Sequence, residues 1–186
     1  MKRYNVPGHA HFLTFSTYQR LPILTADSVL RTLAKHVRLA CDELDTALWA
    51  YVFMPEHVHL LVRPRREDYS ISDFLRKVKE PFAREALRAL REMDPSLWRR
   101  LLVILPSGRQ FGRFWQPGGG YDVNLRTKQK AREKACYCHR NPVIRGLVEA
   151  QEDWWWSSYR SLEMGQQADA ALRIDAWKEL GPTTGW

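Results

Sequence analysis

The sequence predicts an α+β fold of the ferredoxin-like kind: an antiparallel sheet with helices on one face, followed by a C-terminal helix carrying Tyr137. Three observations predict it. The apolar pattern switches between strand-like runs and helix-like spacing in the order β-α-β-β-α-β, and then gives one more helix. The two middle strands are separated only by Met54-Pro55-Glu56, a tight connection that pairs them as a hairpin. A length of 186 residues suits one domain, whose core can bury roughly 70% of the unfolded chain's surface without staples.

Each element has its own warrant. Residues 9–17, His-Ala-His-Phe-Leu-Thr-Phe-Ser-Thr, are rich in aromatic and β-forming side chains and read as the first strand. Asp27 can cap a helix whose apolar residues Val29, Leu30, Leu33, Val37 and Ala40 fall three and four apart. Residues 49–54 and 57–62 are the second and third strands. Ser70 or Ser72 starts the next helix through Phe74, Leu75 and Val78, and Pro81 lies inside it or between two helical segments. The run Leu101-Leu102-Val103-Ile104-Leu105 fits either a buried strand or a helix end. Residues 111–123 read as strand, glycine turn and strand, and a basic helix from Leu125 to about Arg140 is expected to end before Pro142.

Charge narrows the partner. The chain carries a net +8, but residues 63–145 hold 20 basic and 9 acidic side chains, a local +11. Such a basic centre points to a polyanion, nucleic acid first and an anionic membrane second. No apolar run approaches the ~20 residues of a spanning helix. The start Met1-Lys2-Arg3-Tyr4-Asn5 lacks a signal-peptide core. Cys41, Cys136 and Cys138 form neither a disulfide framework nor a four-ligand zinc site, so reduced thiols and a cytoplasmic location are expected.

The sharpest local feature is His57-Val58-His59 within a hydrophobic strand. Alternation puts both imidazoles on one face, about 6–7 Å apart at the backbone, where they can converge on one divalent ion or form a surface pair. Tyr137 and Asn141 are four apart, so a helix presents both on one face with Cβ atoms about 5–6 Å apart. Asparagine offers a carbonyl oxygen acceptable to magnesium or manganese, and tyrosine offers a nucleophilic phenol. Core packing of Tyr137 and capping by Asn141 before Pro142 are the alternatives.

Five ordered blocks carry a resemblance. Met54-Pro55-Glu56-His57-Val58-His59-Leu60-Leu61-Val62 comes first, followed by Trp115-Gln116 with Tyr121-Asp122. Tyr137-Cys138-His139-Arg140-Asn141-Pro142-Val143, Gly146-Leu147-Val148 and Trp156-Ser157-Ser158-Tyr159 complete the series. In this order they resemble the single-tyrosine HUH (IS200-like) transposases, and more narrowly the REP-associated tyrosine transposases. The match spans residues 9–159, which implies a transposase domain over residues 1–162 and a C-terminal extension over 163–186.

The resemblance implies roles. His57, His59 and Asn141 match the ligands of a Mg2+ or Mn2+ ion, and Tyr137 matches the nucleophile. The expected activity is cleavage and rejoining of hairpin-bearing single-stranded DNA through a 5′-phosphotyrosine. Departures are Glu56 for the usual asparagine, Cys138 for isoleucine and Ile144-Arg145 for Arg-Ala. Arg63, Arg65, Arg66, Arg76, Lys77, Lys79, Arg126, Lys128, Lys130, Arg132, Lys134 and Arg140 are candidate contacts to the DNA backbone. Trp115, Tyr121 and Trp154 to Trp156 are stacking platforms or core residues, and Gly118-Gly119-Gly120 a close approach for DNA or a plain turn.

Three other readings are weighed. A histidine-triad hydrolase needs a histidine where Leu61 stands, and is excluded. A replication initiator or relaxase of the wider HUH class shares the chemistry, but the Asn-Pro-Val and Trp-Ser-Ser-Tyr blocks favour the transposase branch. A catalytically inactive DNA-binding module is opposed by the presence of all four site residues. The long extension favours a monomer over a homodimer.

Overall fold

The computed structural model describes residues 4–118, 120–166 and 172–175. Its frame is a four-stranded antiparallel sheet of β1 (Ala10–Ser16), β2 (Thr46–Phe53), β3 (His57–Pro64) and β6 (Tyr121–Leu125), in the order β2-β3-β1-β6. Helices α1 (Asp27–Glu43) and α2 (Ile71–Met93) cross between these strands, giving the ferredoxin-like succession that the sequence predicts. A short helix α3 (Pro95–Arg100) and a separate hairpin of β4 (Leu102–Ile104) and β5 (Gln110–Gly112) are inserted before β6. Helices α4 (Lys128–Ile144) and α5 (Tyr159–Glu163) follow.

Period-two alternation divides the sheet between two cores. Leu13, Phe15, Val58, Leu60 and Val62 face α1 and α2, meeting Leu33, Val37, Phe74, Val78 and Phe82. Phe12, Val52, Leu61 and Leu125 face the opposite side and pack on Ala131, Ala135 and Cys138 of α4. The predicted helices α1 and α2 therefore share one face, and the C-terminal helix covers the other. His57 and His59, being odd-numbered like Leu61, fall on the α4 side. That parity puts the histidines under the helix that bears Tyr137.

Three local choices depart from the sequence expectation, at Asp27, Pro142 and 101–105, and two alternatives it left open are decided, at Ser70 and Pro81. Asp27 does not cap α1: Ala26 occupies that position, and Asp27 begins the helix with its carboxylate on Arg31 at 2.6 Å. Ser70, not Ser72, caps α2, its hydroxyl accepting from the Asp73 amide at 3.1 Å. Pro81 lies inside one continuous helix. The lost hydrogen bond is offset by burial of Val78, Phe82 and Ala86 on both sides of it. Pro142 likewise sits within α4, which runs on to Ile144; its missing donor frees one carbonyl, that of Cys138, while the proline ring itself is buried. The 101–105 run is neither a buried strand nor a helix end, because β4 pairs with β5 in a partly exposed hairpin outside the main sheet.

Strand β2 is an edge, yet its outer backbone groups are used. Phe53 N donates to Trp156 O at 2.9 Å and Ser158 N to Tyr51 O at 2.9 Å. The Trp154 indole reaches Phe53 O at 2.9 Å. Further along, Asp175 N donates to Leu48 O at 2.7 Å while its carboxylate accepts from Leu48 N at 3.1 Å. Leu172 is buried in the α1–α2 core. Of the 163–186 extension, residues 172–175 therefore pack on the domain, while 164–166 are exposed; 167–171 and 176–186 lie outside the described residues.

Candidate active site

Strand β3 brings His57 and His59 together at the floor of an open pocket of about 510 Å3, on the face covered by α4. Both are nearly buried, and their Nε2 atoms stand 3.0 Å apart. The other ring nitrogens are fixed by neighbouring side chains. Glu56 Oε1 takes His57 Nδ1 at 3.1 Å, and Thr14 Oγ1, directly across β1, takes His59 Nδ1 at 2.8 Å. A carboxylate can only accept, so the His57 proton resides on Nδ1 and its Nε2 lone pair points inward. The Thr14 hydroxyl can donate or accept, so it satisfies either tautomer of His59. His59 can thus give its Nε2 proton to His57 Nε2, or carry that proton on Nδ1 and free a second inward lone pair.

Electrostatics keeps the pair neutral. Burial pushes the His57 pKa down, partly opposed by Glu56, and Arg20 and Arg145 add to the depression. His59 is pushed down to about 3, first by burial and then by the neighbouring His57 and Lys134. Neutral imidazoles with paired inward nitrogens, each held by an outer hydrogen bond, have the donor chemistry of a divalent metal site. No group of three His, Cys, Asp or Glu side chains suited to a metal occurs among the described residues.

Helix α4 supplies the remaining groups. Thr127 caps it, accepting from Lys130 N at 3.2 Å, and its apolar stripe of Ala131, Ala135 and Cys138 lies on the sheet. Lys134, Tyr137 and Asn141, three and four apart, line the pocket above the histidines. The Tyr137 ring packs edge-on to His59, 6.2 Å between centroids, and edge-on to Phe12 at 6.1 Å, with half its surface open. Lys134 Nζ lies 5.2 Å from the centre of that ring. Asn141 Nδ2 donates to Tyr137 O at 3.1 Å, which leaves its carbonyl oxygen as the uncommitted acceptor.

His139 fixes how α4 is rotated. Two residues past Tyr137, it projects roughly 200° away around the helix and is buried. Its Nε2 meets Ser158 Oγ at 2.8 Å, and the same oxygen accepts from Tyr51 N at 2.9 Å and reaches Tyr51 O at 3.2 Å. The Tyr-x-His-x-Asn and Trp-Ser-Ser-Tyr blocks thus meet through one hydroxyl on the edge of β2. Burial holds the His139 pKa at about 3, so the ring is neutral. With His139 pointing in, Tyr137 must point out over the histidines.

Several pocket residues carry no signal in sequence. Arg145, one residue beyond α4, places a guanidinium nitrogen 3.0 Å from Glu56 Oε1, tying the helix end to the turn before His57. Arg20 enters from the turn after β1, where it and Gln19 both have left-handed backbones, φ 54° and 53°. Such conformations cost non-glycine residues on the order of 1–3 kcal/mol each. Gly120 has φ 65°, and a Cβ there would lie 2.2 Å from Thr14 O, so this glycine is required for β6 to approach the site.

The basic candidates are dispersed. Arg65 is paired with Asp45 and Asp175, Lys77 with Glu43 and Lys130 with Glu133. Arg63, over the Trp49 ring, shares a hollow with Arg126 and Lys128 at the start of α4. Lys79 lies over Phe15 and Trp115, while Arg66 and Arg140 are exposed and Arg132 is half-buried. Lys134 alone of the set lines the histidine pocket. Among the aromatics, Trp115 and Trp156 belong to the core, whereas Tyr121 is half exposed at the pocket rim and Trp155 is exposed beneath Arg160.

One family and two known proteins are similar to this chain. The family model described as "Transposase IS200 like" matches residues 6–110, more than half the chain. A curated Haemophilus influenzae protein, whose name assigns it to the REP-associated tyrosine transposases, is 22% identical over 152 residues, covering 82% of this chain and 80% of its own. A solved REP-associated tyrosine transposase bound to a REP hairpin superposes with a TM-score of 0.67 at 20% identity, covering 95% of this chain and 92% of that one. That likeness establishes the fold. Among the described residues, no helix is long and apolar enough to cross a membrane.

Proposed function

Since the chain belongs to the IS200-like transposase family, we propose that it cuts and rejoins single-stranded DNA bearing hairpin elements, with Tyr137 as the nucleophile. One observation carries this reading: the Tyr137 ring lies against His59 in the same pocket where two inward-facing imidazole nitrogens converge. The relatives' names supply the substrate class, a REP hairpin in the solved complex.

The chemistry balances without an external energy source. The Tyr137 phenol oxygen attacks the scissile phosphorus and loses its proton. The bond to the 3′-oxygen breaks, and that oxygen leaves as a 3′-hydroxyl. A phosphotyrosine at the 5′ end keeps one phosphoester, so a second 3′-hydroxyl can reverse the step on a new strand. Lys134, beside the phenol ring, offers positive charge where the attacking oxygen must become anionic. Phe12 buttresses both the Tyr137 ring and the His59 ring, stacking on the latter with centroids 5.4 Å apart.

His57 Nε2, His59 Nε2 and the Asn141 carbonyl oxygen would hold a Mg2+ or Mn2+ ion. When bound, such an ion supplies Lewis-acid polarisation of a non-bridging phosphate oxygen. Glu56 and Thr14 orient the two imidazoles, and Arg145 holds Glu56 in place.

The test is an adduct assay. The chain is mixed with a panel of hairpin oligonucleotides and Mg2+ or Mn2+, and protein–DNA adducts that survive denaturation are counted. Tyr137→Phe should abolish them, and His57→Ala or His59→Ala should abolish cleavage while binding persists. Adducts unchanged in Tyr137→Phe would overturn the assignment. Binding with no adduct under either metal would leave a DNA-binding module in place of an enzyme.

A further inference from the structure

The guanidinium of Arg20 has no ion pair or hydrogen bond among the described residues, although it lines the same pocket as His57, His59, Tyr137 and Asn141. It stands close enough to His57 for its charge to weigh on that imidazole. The other pocket cations are held: Arg145 is tied to Glu56, and Lys134 lies over the Phe12 and Tyr137 rings. Among the described residues, Arg20 is thus the pocket cation with neither a carboxylate nor an aromatic ring against it, and it is open to a ligand.

Its placement is built rather than incidental. Gln19 and Arg20 both sit in the left-handed region, where neither has the freedom of glycine. The turn is pinned on every side. Tyr18 N donates to Phe114 O at 2.7 Å, Gln19 N to the Gln116 side chain at 3.0 Å and Arg20 N to Thr17 O at 3.1 Å. Thr17 N in turn donates to Glu56 O at 3.0 Å, and the Thr17 hydroxyl reaches Leu21 O and Glu56 O. The turn that aims Arg20 and the turn that launches His57 are therefore one hydrogen-bonded unit. Strain persists only where its surroundings fix it, and here they fix a free cation at the mouth of the histidine pocket.

We infer that Arg20 binds the scissile phosphodiester, gripping a non-bridging oxygen on the side of the pocket formed by the turn after β1. The inference rests on the function proposed above and extends it to a residue outside the HUH, tyrosine and asparagine positions. Arginine suits the task because its planar fork matches two phosphate oxygens and never loses its charge.

The test separates chemistry, local phosphate binding and general attraction to DNA. Arg20→Ala should slow adduct formation at saturating oligonucleotide by about 100-fold or more, and Arg20→Lys should recover part of the rate. Affinity for the hairpin alone should stay unchanged in both. In a Tyr137→Phe background, oligonucleotides spanning the mapped cleavage point are compared with a phosphate or a neutral methylphosphonate there. Arg20→Ala should weaken binding of the first and not of the second. Equal adduct rates in Arg20→Ala and wild type would overturn the inference, as would equal weakening of both oligonucleotides. Absence of any adduct from the wild-type chain would instead count against the proposed function; the binding comparison, with cleavage-point scanning replaced by methylphosphonates along the whole strand, still decides on Arg20.

Discussion

Replacing Ser158 by alanine should loosen helix α4 without touching the pocket. The Ser158 hydroxyl accepts from Tyr51 N at 2.9 Å and from His139 at 2.8 Å. Tyr51 O keeps the Ser158 amide at 2.9 Å, so it stays satisfied. The substitution therefore strands two buried donors, each worth about 1–3 kcal/mol, and a loss of about 3 kcal/mol is expected. Against a total stability of roughly 5–15 kcal/mol, that is a large fraction. Urea unfolding followed by tryptophan fluorescence reads it as a lower midpoint at constant slope. Adding His139→Leu should recover part of the loss, because one of the stranded donors disappears with it. A loss below about 0.5 kcal/mol, or a double variant as unstable as the two single losses summed, would refute the account of how α4 is seated.

Three further outcomes follow from the same geometry. His139 titrates near 6.5 when unfolded and at about 3 when folded, so between those values only the unfolded chain takes up the proton. Stability should fall as pH drops through 6.5, by about 2 kcal/mol at pH 5, with His57 and His59 adding in the same direction; a His139→Gln chain that loses as much between pH 7 and 5 would contradict this. Gly120→Ala should destabilise by about 2 kcal/mol or more, since its Cβ meets the Thr14 carbonyl at a positive φ, and a melting temperature equal to wild type would count against the close approach. Glu56→Gln should weaken Mn2+ binding about 10-fold or more by electron paramagnetic resonance; unchanged binding would remove Glu56 from the proposed metal site.

What could be read from sequence follows from which signals are local. Alternation along β3 alone places His57 and His59 on one face, and a spacing of four aligns Tyr137 with Asn141. The Ser70 cap is also local, because it satisfies an amide three residues on. The ferredoxin-like frame follows from the element succession, whereas the covering of the opposite sheet face by α4 does not. Other features depend on distant partners. Pro81 stays helical because the apolar side chains around it are buried by another helix and the core. Glu56 gains meaning only when Arg145 arrives from the far end of α4, and Arg20 only when its turn is wired to Glu56 and Gln116. Charge density along the chain, in turn, does not reveal which cations already have carboxylates, as Arg65, Lys77 and Lys130 do.

The outer margin of β2 has a consequence for how the molecule meets copies of itself. An uncovered margin is a template on which a stranger's backbone can zip, the first step toward sheet-to-sheet aggregation. Here residues 154, 156, 158 and 175 of the same chain fill the places at Leu48, Tyr51 and Phe53 that an intruder would take. Trimming the protein back to the end of α4 would strip that guard away. The shortened form should then clump through this seam even with its histidines and tyrosine intact.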